Sequence, residues 1–435
     1  MTRLGTGALA LLMAGIVATP SAVASPAVAG SGSRDCFDTA APVTPEEARL
    51  TGAEVPGALI EAGGFTRFPA ELRATLCSAR SYAAARDQLK REGARLWKTA
   101  VARAQGRIQM GDIERYDDRP LYWTRLTGTR DIRQWTPRFP VTAVERAELV
   151  EVYEYAARGL TSTAFRPGVT RVLVSGFDPY QLGAEIRRSN PSGGAALQLD
   201  GAVFSEGGRT VQVQAVALPV TWSGFDAGIV EDAFGPHLTE RSPSNAGGAQ
   251  RADLIMTISQ GLRGVMNIER WAAGWRGGVP DNNDEGTPES VPLAQGWPQP
   301  DPTPEWIETT LPYQAMIGAA TGPWPTRLNP QLCEWAAGDR PAGRVTCHNG
   351  EPAPGGQASS GGGGSYLSNE SMYRSNRLRL ALGATDIPGG HLHISALLAF
   401  ADPATLLDPA FAADRSATIE QTIHLVEAAG LAAAR

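Results

Sequence analysis

The sequence predicts an α/β protein whose doubly wound, largely parallel sheet follows a small helical domain. Apolar runs rich in β-branched residues occur at 169–175, 211–218, 252–259 and 392–398, as is typical of buried parallel strands. Helical or loop stretches separate these runs, which favours a βα arrangement. The preceding part of the chain lacks such runs and is rich in helix-forming residues, and the change falls at residues 166–168.

The first 29 residues predict a secretory signal peptide. Arg3 supplies a short positive region, and residues 7–18 form an apolar run that is too short to span a bilayer. Small residues at 22–24 and 27–29 offer cleavage sites. Because no later segment is apolar for long enough to span a membrane, we expect a secreted, extracellular protein that is free of the membrane after cleavage.

Residues 30–166 predict a mostly helical N-terminal domain whose role the sequence does not indicate. Thr44 followed by Pro45, Glu46 and Glu47 is typical of a helix start. Leucines recur at helical spacing over 69–107, the pattern breaks over 115–140, and it returns over 140–160. No catalytic motif lies in this part of the chain.

Residues 167–435 predict the α/β domain, with further helices at 305–317 and 418–434. An insertion at about 322–364 fits no regular element in the sequence, and its four glycines at 361–364 suggest a flexible tether. In a parallel α/β sheet, loops at the carboxyl ends of the strands form the expected site.

Charge and cysteine content narrow the possible functions. The 435 residues carry a net charge of −6, which gives no basic footprint for nucleic acid. Four cysteines in an exported protein suggest two disulfides. We favour Cys36–Cys77 and Cys333–Cys347, because each pair lies within one predicted unit, although three connectivities are possible. No cysteine is then left as a nucleophile.

Five short motifs follow one another in the α/β part. They are VLVSGFDPY at 172–180 with NPS at 190–192, LPVTW at 218–222, ISQG at 258–261 with IER and PDN downstream, YLSN at 366–369, and GHLHI at 390–394. In this order they resemble the pyroglutamyl peptidase I family, cysteine peptidases that remove an N-terminal pyroglutamyl residue. The resemblance covers roughly residues 169–430 without the insertion, and it implies that family's α/β fold.

The resemblance implies a catalytic triad in which a serine oxygen replaces the cysteine sulfur. Ser368 stands where the family has its cysteine, His393 matches the base, and Glu269 matches the carboxylate that orients the base. An imidazole must take the nucleophile's proton, and a buried carboxylate must fix its tautomer. Because a hydroxyl is far less acidic than a thiol, activation of the nucleophile would depend more strongly on proton removal by His393.

The resemblance also implies a substrate pocket. Phe177, Tyr180 and Tyr366 fall on positions that enclose a flat lactam ring, with Leu367 beside them, and Gln260 matches a pocket glutamine. The family's arginine near the oxyanion has no clean match. Its candidates are therefore Arg276, the nearest basic residue, or backbone N–H groups at 260–263.

We expect neither a cofactor nor a metal. His391 and His393 are two residues apart on a predicted strand, but no HExxH motif accompanies them. His391 is therefore expected to be a packing or rim residue.

The sequence thus predicts a secreted hydrolase that removes an N-terminal pyroglutamyl or related small N-acyl group by a Ser–His–Glu triad. Its partner would be an N-terminally blocked peptide or a small amide. The alternative is a catalytically inactive relative that binds such peptides outside the cell. The oligomeric state is not indicated.

Overall fold

The structure is a computed structural model that describes residues 36–239, 250–319, 322–402 and 404–434. All of them belong to one compact unit. The predicted signal peptide at 1–29 lies outside the described residues. The predicted boundary at 166/167 stays a prediction.

The N-terminal region is helical, as predicted. Its helices are α1 (Pro45–Gly52), α2 (Val55–Ala62), α3 (Arg67–Ser78), α4 (Tyr82–Ala104), α5 (Arg119–Gln134) and α6 (Ala143–Ala157). Helix α1 begins at the predicted position, where Thr44 and Glu47 form a reciprocal capping box. Helix α5 occupies the stretch where we predicted a break in the helical pattern.

The chain continues through strands and helices in alternation. The strands are β1 (Thr170–Phe177), β2 (Val203–Glu206), β3 (Arg209–Leu218), β4 (Leu254–Gln260), β5 (Met266–Glu269), β6 (Trp271–Ala273), β7 (Trp275–Gly277), β8 (Pro288–Ser290), β9 (Trp306–Glu308), β10 (Thr326–Asn329), β11 (Gln331–Trp335), β12 (Thr346–Asn349), β13 (Gln357–Ser360) and β14 (Gly389–Ile394). The helices are α7 (Pro191–Leu199), α8 (Trp222–Asp226), α9 (Ile229–Phe234), α10 (Tyr313–Gly318), α11 (Leu367–Ala381) and α12 (Pro409–Ala433), with a 3₁₀ turn at Gly235–His237.

The largest sheet among the described residues has seven strands in the order β10-β5-β14-β4-β1-β3-β2. Its centre, β14-β4-β1-β3, is parallel. Strand β5 runs antiparallel to β14 and parallel to β10, and β2 pairs antiparallel with β3. The predicted α/β fold with a largely parallel sheet is confirmed.

Helices cover both faces of this sheet. On one face, apolar side chains of alternate strand positions pack with α7 and α12. On the other, the intervening positions of β1, β3 and β4 pack with α8, α9 and α11. Successive side chains of a strand point to opposite faces. Ile255 on β4 faces α11, and Thr257 and Ser259 therefore point to the same face.

Two predictions for the later part of the chain also differ from the structure. The helix expected at 305–317 is confined to α10, because Trp306–Glu308 pairs instead with β6. The insertion at 322–364 contains regular structure: β10 joins the edge of the main sheet, and β11–β13 form a sheet of their own.

The predicted disulfides are both present. Cys36–Cys77 joins the start of the described chain to α3, with Cα atoms 5.7 Å apart. Cys333–Cys347 links β11 to β12, with Cα atoms 4.0 Å apart. None of the helices in the described part of the chain combines the length and the apolar character needed to cross a bilayer.

The helical region holds the turn that follows β1. Asp178, directly after that strand, receives hydrogen bonds from Arg125 on α5 at 2.6 Å and from Arg158 at 2.7 Å. All three side chains are buried. Removing one partner of a buried ion pair costs several kcal/mol. The helical region therefore holds in place the turn that begins after Phe177 and carries Tyr180.

Candidate active site

A cavity of about 390 Å³ opens at the carboxyl ends of β1 and β4. We call it the main cavity. The structure brings eight of the predicted site residues to its wall: Phe177, Tyr180, Gln260, Glu269, Tyr366, Leu367, Ser368 and His393.

The predicted base and carboxylate are joined directly. Nδ1 of His393 donates to Oε1 of Glu269 at 2.8 Å, and both side chains are buried. Because a carboxylate only accepts, this bond places the proton of a neutral imidazole on Nδ1 and leaves Nε2 able to accept one.

The second carboxylate oxygen of Glu269 also accepts a hydrogen bond. Nδ2 of Asn329, at the end of β10, donates to Oε2 of Glu269 at 2.8 Å and to the carbonyl of Gly362 at 3.1 Å. The carboxylate is thus held from two sides, with its plane and its distance to the imidazole fixed.

Strand register explains why these side chains meet. One row across the sheet joins the Cα partners Thr257, His391, Glu269 and Asn329. The next row joins Ser259, His393, Asn267 and Arg327. Paired residues on adjacent strands point to the same face. Since Thr257 and Ser259 lie on the same face of β4 as Ile255, both rows face α11. They therefore form a polar surface under α11.

Ser368 approaches this surface from α11. It is the second residue of that 15-residue helix, and its Oγ donates to the carbonyl of Gly363 at 3.4 Å. Within the described residues, no hydrogen bond joins Ser368 to His393. Rotation about χ1 between staggered rotamers moves Oγ without moving the helix.

The start of α11 presents unused donors. The N–H groups of Leu367, Ser368 and Asn369 donate to no acceptor among the described residues, since the first backbone bond here is from Glu370 to Tyr366. Such groups, with the helix dipole behind them, stabilise negative charge.

The four glycines before Ser368 form a tight turn packed on the site. A Cβ on Gly361 would lie 2.2 Å from the Trp271 carbonyl, and one on Gly362 would lie 2.1 Å from Oε2 of Glu269. One on Gly363 would lie 2.6 Å from Cε1 of His393. The expected flexible tether is thus a turn in which only glycine allows the backbone to approach Glu269 and His393 so closely.

His391 is fully buried behind His393. Its Nδ1 and Nε2 lie 2.7 Å from Oγ1 of Thr257 and 2.8 Å from Oγ of Ser259, and the two imidazole rings are 4.5 Å apart. Burial, and then the neighbouring His393, hold the pKa of His391 well below its ordinary value. It is a neutral packing residue, while Ser259 also reaches the cavity wall.

The aromatic wall carries one open acceptor. Nε2 of Gln260 donates to the hydroxyl of Tyr180 at 3.2 Å, whereas Oε1 of Gln260 is buried without a partner in the described chain. Tyr366 packs edge-to-face on Trp222, with ring centroids 5.4 Å apart. An apolar slot with one unpaired carbonyl suits a flat group that has an N–H.

Arg276 is the predicted site residue that does not reach the main cavity. Its guanidinium binds Glu370 through two hydrogen bonds of 2.6 and 3.0 Å and binds Asp226 at 2.6 Å. These bonds anchor the first turn of α11.

Several wall residues went unrecognised in the sequence. Asn267 and Leu262 line the main cavity without matching a motif. Asn329, which binds Glu269, lies on a four-residue strand with no distinctive pattern. Asn329 falls inside the segment that we read as an irregular insertion. Only the pairing of β10 with β5 brings it to Glu269.

Two family models match the chain. One, described as the PA0049 N-terminal domain, matches residues 25–154, and the PA0049 C-terminal domain matches residues 171–291 and 344–398. The "Uncharacterized protein PA0049" of Pseudomonas aeruginosa is 29% identical over 489 aligned positions, which cover 87% of this chain and 84% of that protein.

Two crystal structures of pyroglutamyl peptidase I from Bacillus amyloliquefaciens also match. Both are 19% identical and cover 60% of this chain, with TM-scores of 0.38 and 0.39 and with 97% and 96% of their own chains covered. At these scores and identities, the two structures do not inform the function of this chain.

Proposed function

We propose that this protein is a serine-dependent amide hydrolase that removes a small N-acyl group, such as pyroglutamyl, from a blocked peptide or amide. The 2.8 Å bond between His393 and Glu269, on the wall of a cavity that Ser368 also lines, supports this proposal most. A buried carboxylate, an oriented imidazole and a nearby hydroxyl are the three groups that nucleophilic acyl transfer requires.

The reaction would proceed through an acyl-enzyme. Oγ of Ser368 attacks the scissile carbonyl while Nε2 of His393 takes the hydroxyl proton, and Glu269 stabilises the imidazolium. His393 then gives that proton to the leaving amine. Water, deprotonated by the same nitrogen, releases the acid and restores the serine.

The oxyanion would be stabilised by the backbone. The free N–H groups of Ser368 and Asn369 at the start of α11 support this assignment, and removal of one such donor elsewhere costs about 10²–10³ in kcat. Arg276 serves this role less well, because its donors already bind Glu370 and Asp226.

The acyl group would occupy the aromatic part of the cavity. The unpaired Oε1 of Gln260 supports an acyl group with a ring N–H, as a pyrrolidone has. Phe177 and Tyr366 offer apolar surface to its faces. The exchange of a thiol for a hydroxyl suits an exported enzyme with paired cysteines, since a thiolate outside the cell is open to oxidation.

The test compares the mature protein with Ser368→Ala on a pyroglutamyl substrate that releases a neutral fluorescent dye. We expect kcat/KM to fall at least about a thousandfold, as removal of a nucleophile does elsewhere. Ser365→Ala, three residues earlier and outside the cavity wall, is the matched control and should retain activity. Equal rates for the wild type and Ser368→Ala would sink the proposal.

A binding protein for blocked peptides is the second candidate. It is favoured by the hydrogen bond of Ser368 to Gly363 and the lack of one to His393 in the described structure. A fluorophosphonate probe separates the two: labelling at Ser368 supports the hydrolase, whereas peptide binding without labelling supports the binder.

A further inference from the structure

A second cavity of about 340 Å³ adjoins the main one at the β10 edge of the sheet. We call it the edge cavity. Leu262, Asn267, Gln331 and Gly362 belong to the walls of both. The two cavities therefore meet beside the triad, on the side away from the aromatic slot.

The pairing of the strands places three residues in a row from His393 to the edge cavity. His393 pairs with Asn267, and Asn267 pairs with Arg327 on β10. With neighbouring strands about 4.8 Å apart, the Cα atoms of Arg327 and His393 are roughly 10 Å apart. The three side chains point to the same face of the sheet.

Arg327 is the one charged residue among the described residues that line the edge cavity. Its Nε donates to Oδ1 of Asn267 at 2.9 Å, and no carboxylate of the described chain forms an ion pair with it. The residue is exposed. The remaining polar wall is made of amide side chains, including those of Gln331 and Asn349. A planar guanidinium with free donors is suited to bind a carboxylate.

We propose that the edge cavity is a leaving-group subsite for a short peptide with a free C-terminal carboxylate, which Arg327 binds. This inference rests on the proposed function, because it takes Ser368 and His393 as the point of cleavage. An extended residue spans about 3.3–3.6 Å, so a carboxylate one or two residues beyond the scissile bond lies within reach of the arginine. The substrates would be N-terminally blocked di- and tripeptides.

The experiment measures binding in Ser368→Ala, so that no ligand is consumed. Dissociation constants are compared for pyroglutamyl-alanine and for its C-terminal amide. We expect the free acid to bind about tenfold more tightly, which corresponds to about 1.4 kcal/mol. Adding Arg327→Gln should abolish this difference, whereas adding Arg80→Gln, an exposed arginine before α4, should leave it intact.

The outcomes separate this subsite from the proposed hydrolysis. The subsite proposal is overturned if the acid and the amide bind with equal affinity, if the preference for the acid survives Arg327→Gln, or if neither peptide binds. This holds whatever the wild type hydrolyses. A carboxylate preference that Arg327→Gln removes supports the subsite even if the wild type cleaves neither peptide, in which case the proposed hydrolysis alone fails.

Discussion

Nδ2 of Asn329 donates a 2.8 Å hydrogen bond to Oε2 of Glu269, the carboxylate oxygen that His393 does not use. The contact joins a strand of the segment that we read as an insertion to the centre of the candidate site. Asn329 thereby orients Glu269, whose other oxygen binds the candidate base His393.

Asn329→Ala should lower kcat toward the neutral dye substrate by about tenfold to a hundredfold. A hydrogen bond to a charged group is worth about 1.5–3 kcal/mol, and its loss frees Glu269 to rotate away from His393. Steady-state kinetics measure the effect. Thr346→Ala, an exposed position in the same segment and outside both cavity walls, should change kcat little, and equal losses in the two variants would contradict the assignment.

Gly363→Ala should reduce kcat at least about a hundredfold, since misplacing a catalytic group by about 1 Å can cost that much. Its Cβ would lie 2.6 Å from Cε1 and 3.2 Å from Nδ1 of His393, so a shift of the ring would disturb its hydrogen bond to Glu269. Gly57→Ala, where a Cβ meets no atom within 4 Å, is the control. Full activity of Gly363→Ala would show that the turn does not restrain the base.

Glu46→Gln should flatten the dependence of stability on pH. Burial, and then nearby Asp178, raise the pKa of Glu46 to about 7. With the folded pKa above the unfolded value of 4.5, the folded state holds its proton more strongly. This stabilisation is complete below about 4.5 and is lost as pH rises through about 7.

The glutamine keeps a carbonyl that can accept from Tyr122 and Asn282, as Oε1 of Glu46 does, but it carries no charge. Urea unfolding should show the wild type losing up to about 3 kcal/mol more than Glu46→Gln between pH 5 and 8. Glu54→Gln, on an exposed side chain, should leave the slope unchanged. Burial also raises the pKa of Asp118 to about 7. The stability of every variant should therefore retain some dependence on pH. Parallel curves for wild type and Glu46→Gln would contradict the prediction.

The two disulfides should contribute unequally to stability. They close loops with sequence separations of 41 and 14 residues, for which loop-closure entropy gives about 4 and about 3 kcal/mol. Paired cysteine-to-alanine variants should lower the free energy of unfolding in that order, as measured with chemical denaturant. A larger loss for Cys333–Cys347 would show that the effect does not come from the unfolded chain.

The central strands that carry the aromatic part of the site could be predicted because they are buried on both faces. Residues 169–175, 211–218 and 252–259 read as largely apolar runs and lie within a few positions of β1, β3 and β4. The shorter strands β5 and β10 have no such run, and only pairing with their neighbours makes them strands. The contribution of Asn329 could not be predicted for that reason.

Helix α5 shows a second limit. Nearly every residue from Arg119 to Gln134 is buried, including Arg119 and Arg125. Threonine, arginine, aspartate and glutamine make up much of this helix, and residues of these types normally mark a face that is exposed to solvent. Arg125 and Arg133 bind carboxylates that are distant in the sequence, Asp178 and Glu47, which no local pattern reveals.

The base of the candidate triad lies on β14, the strand nearest the C-terminus, and its row partner Ser259 is on β4. A chain made from its N-terminus acquires Glu269 and Ser368 before His393. Until β14 pairs between β4 and β5, the cavity has an aromatic wall and a hydroxyl but no group to take a proton. If the proposed chemistry holds, the unfinished or unfolded chain is inert, and activity begins only when the last strand closes the sheet.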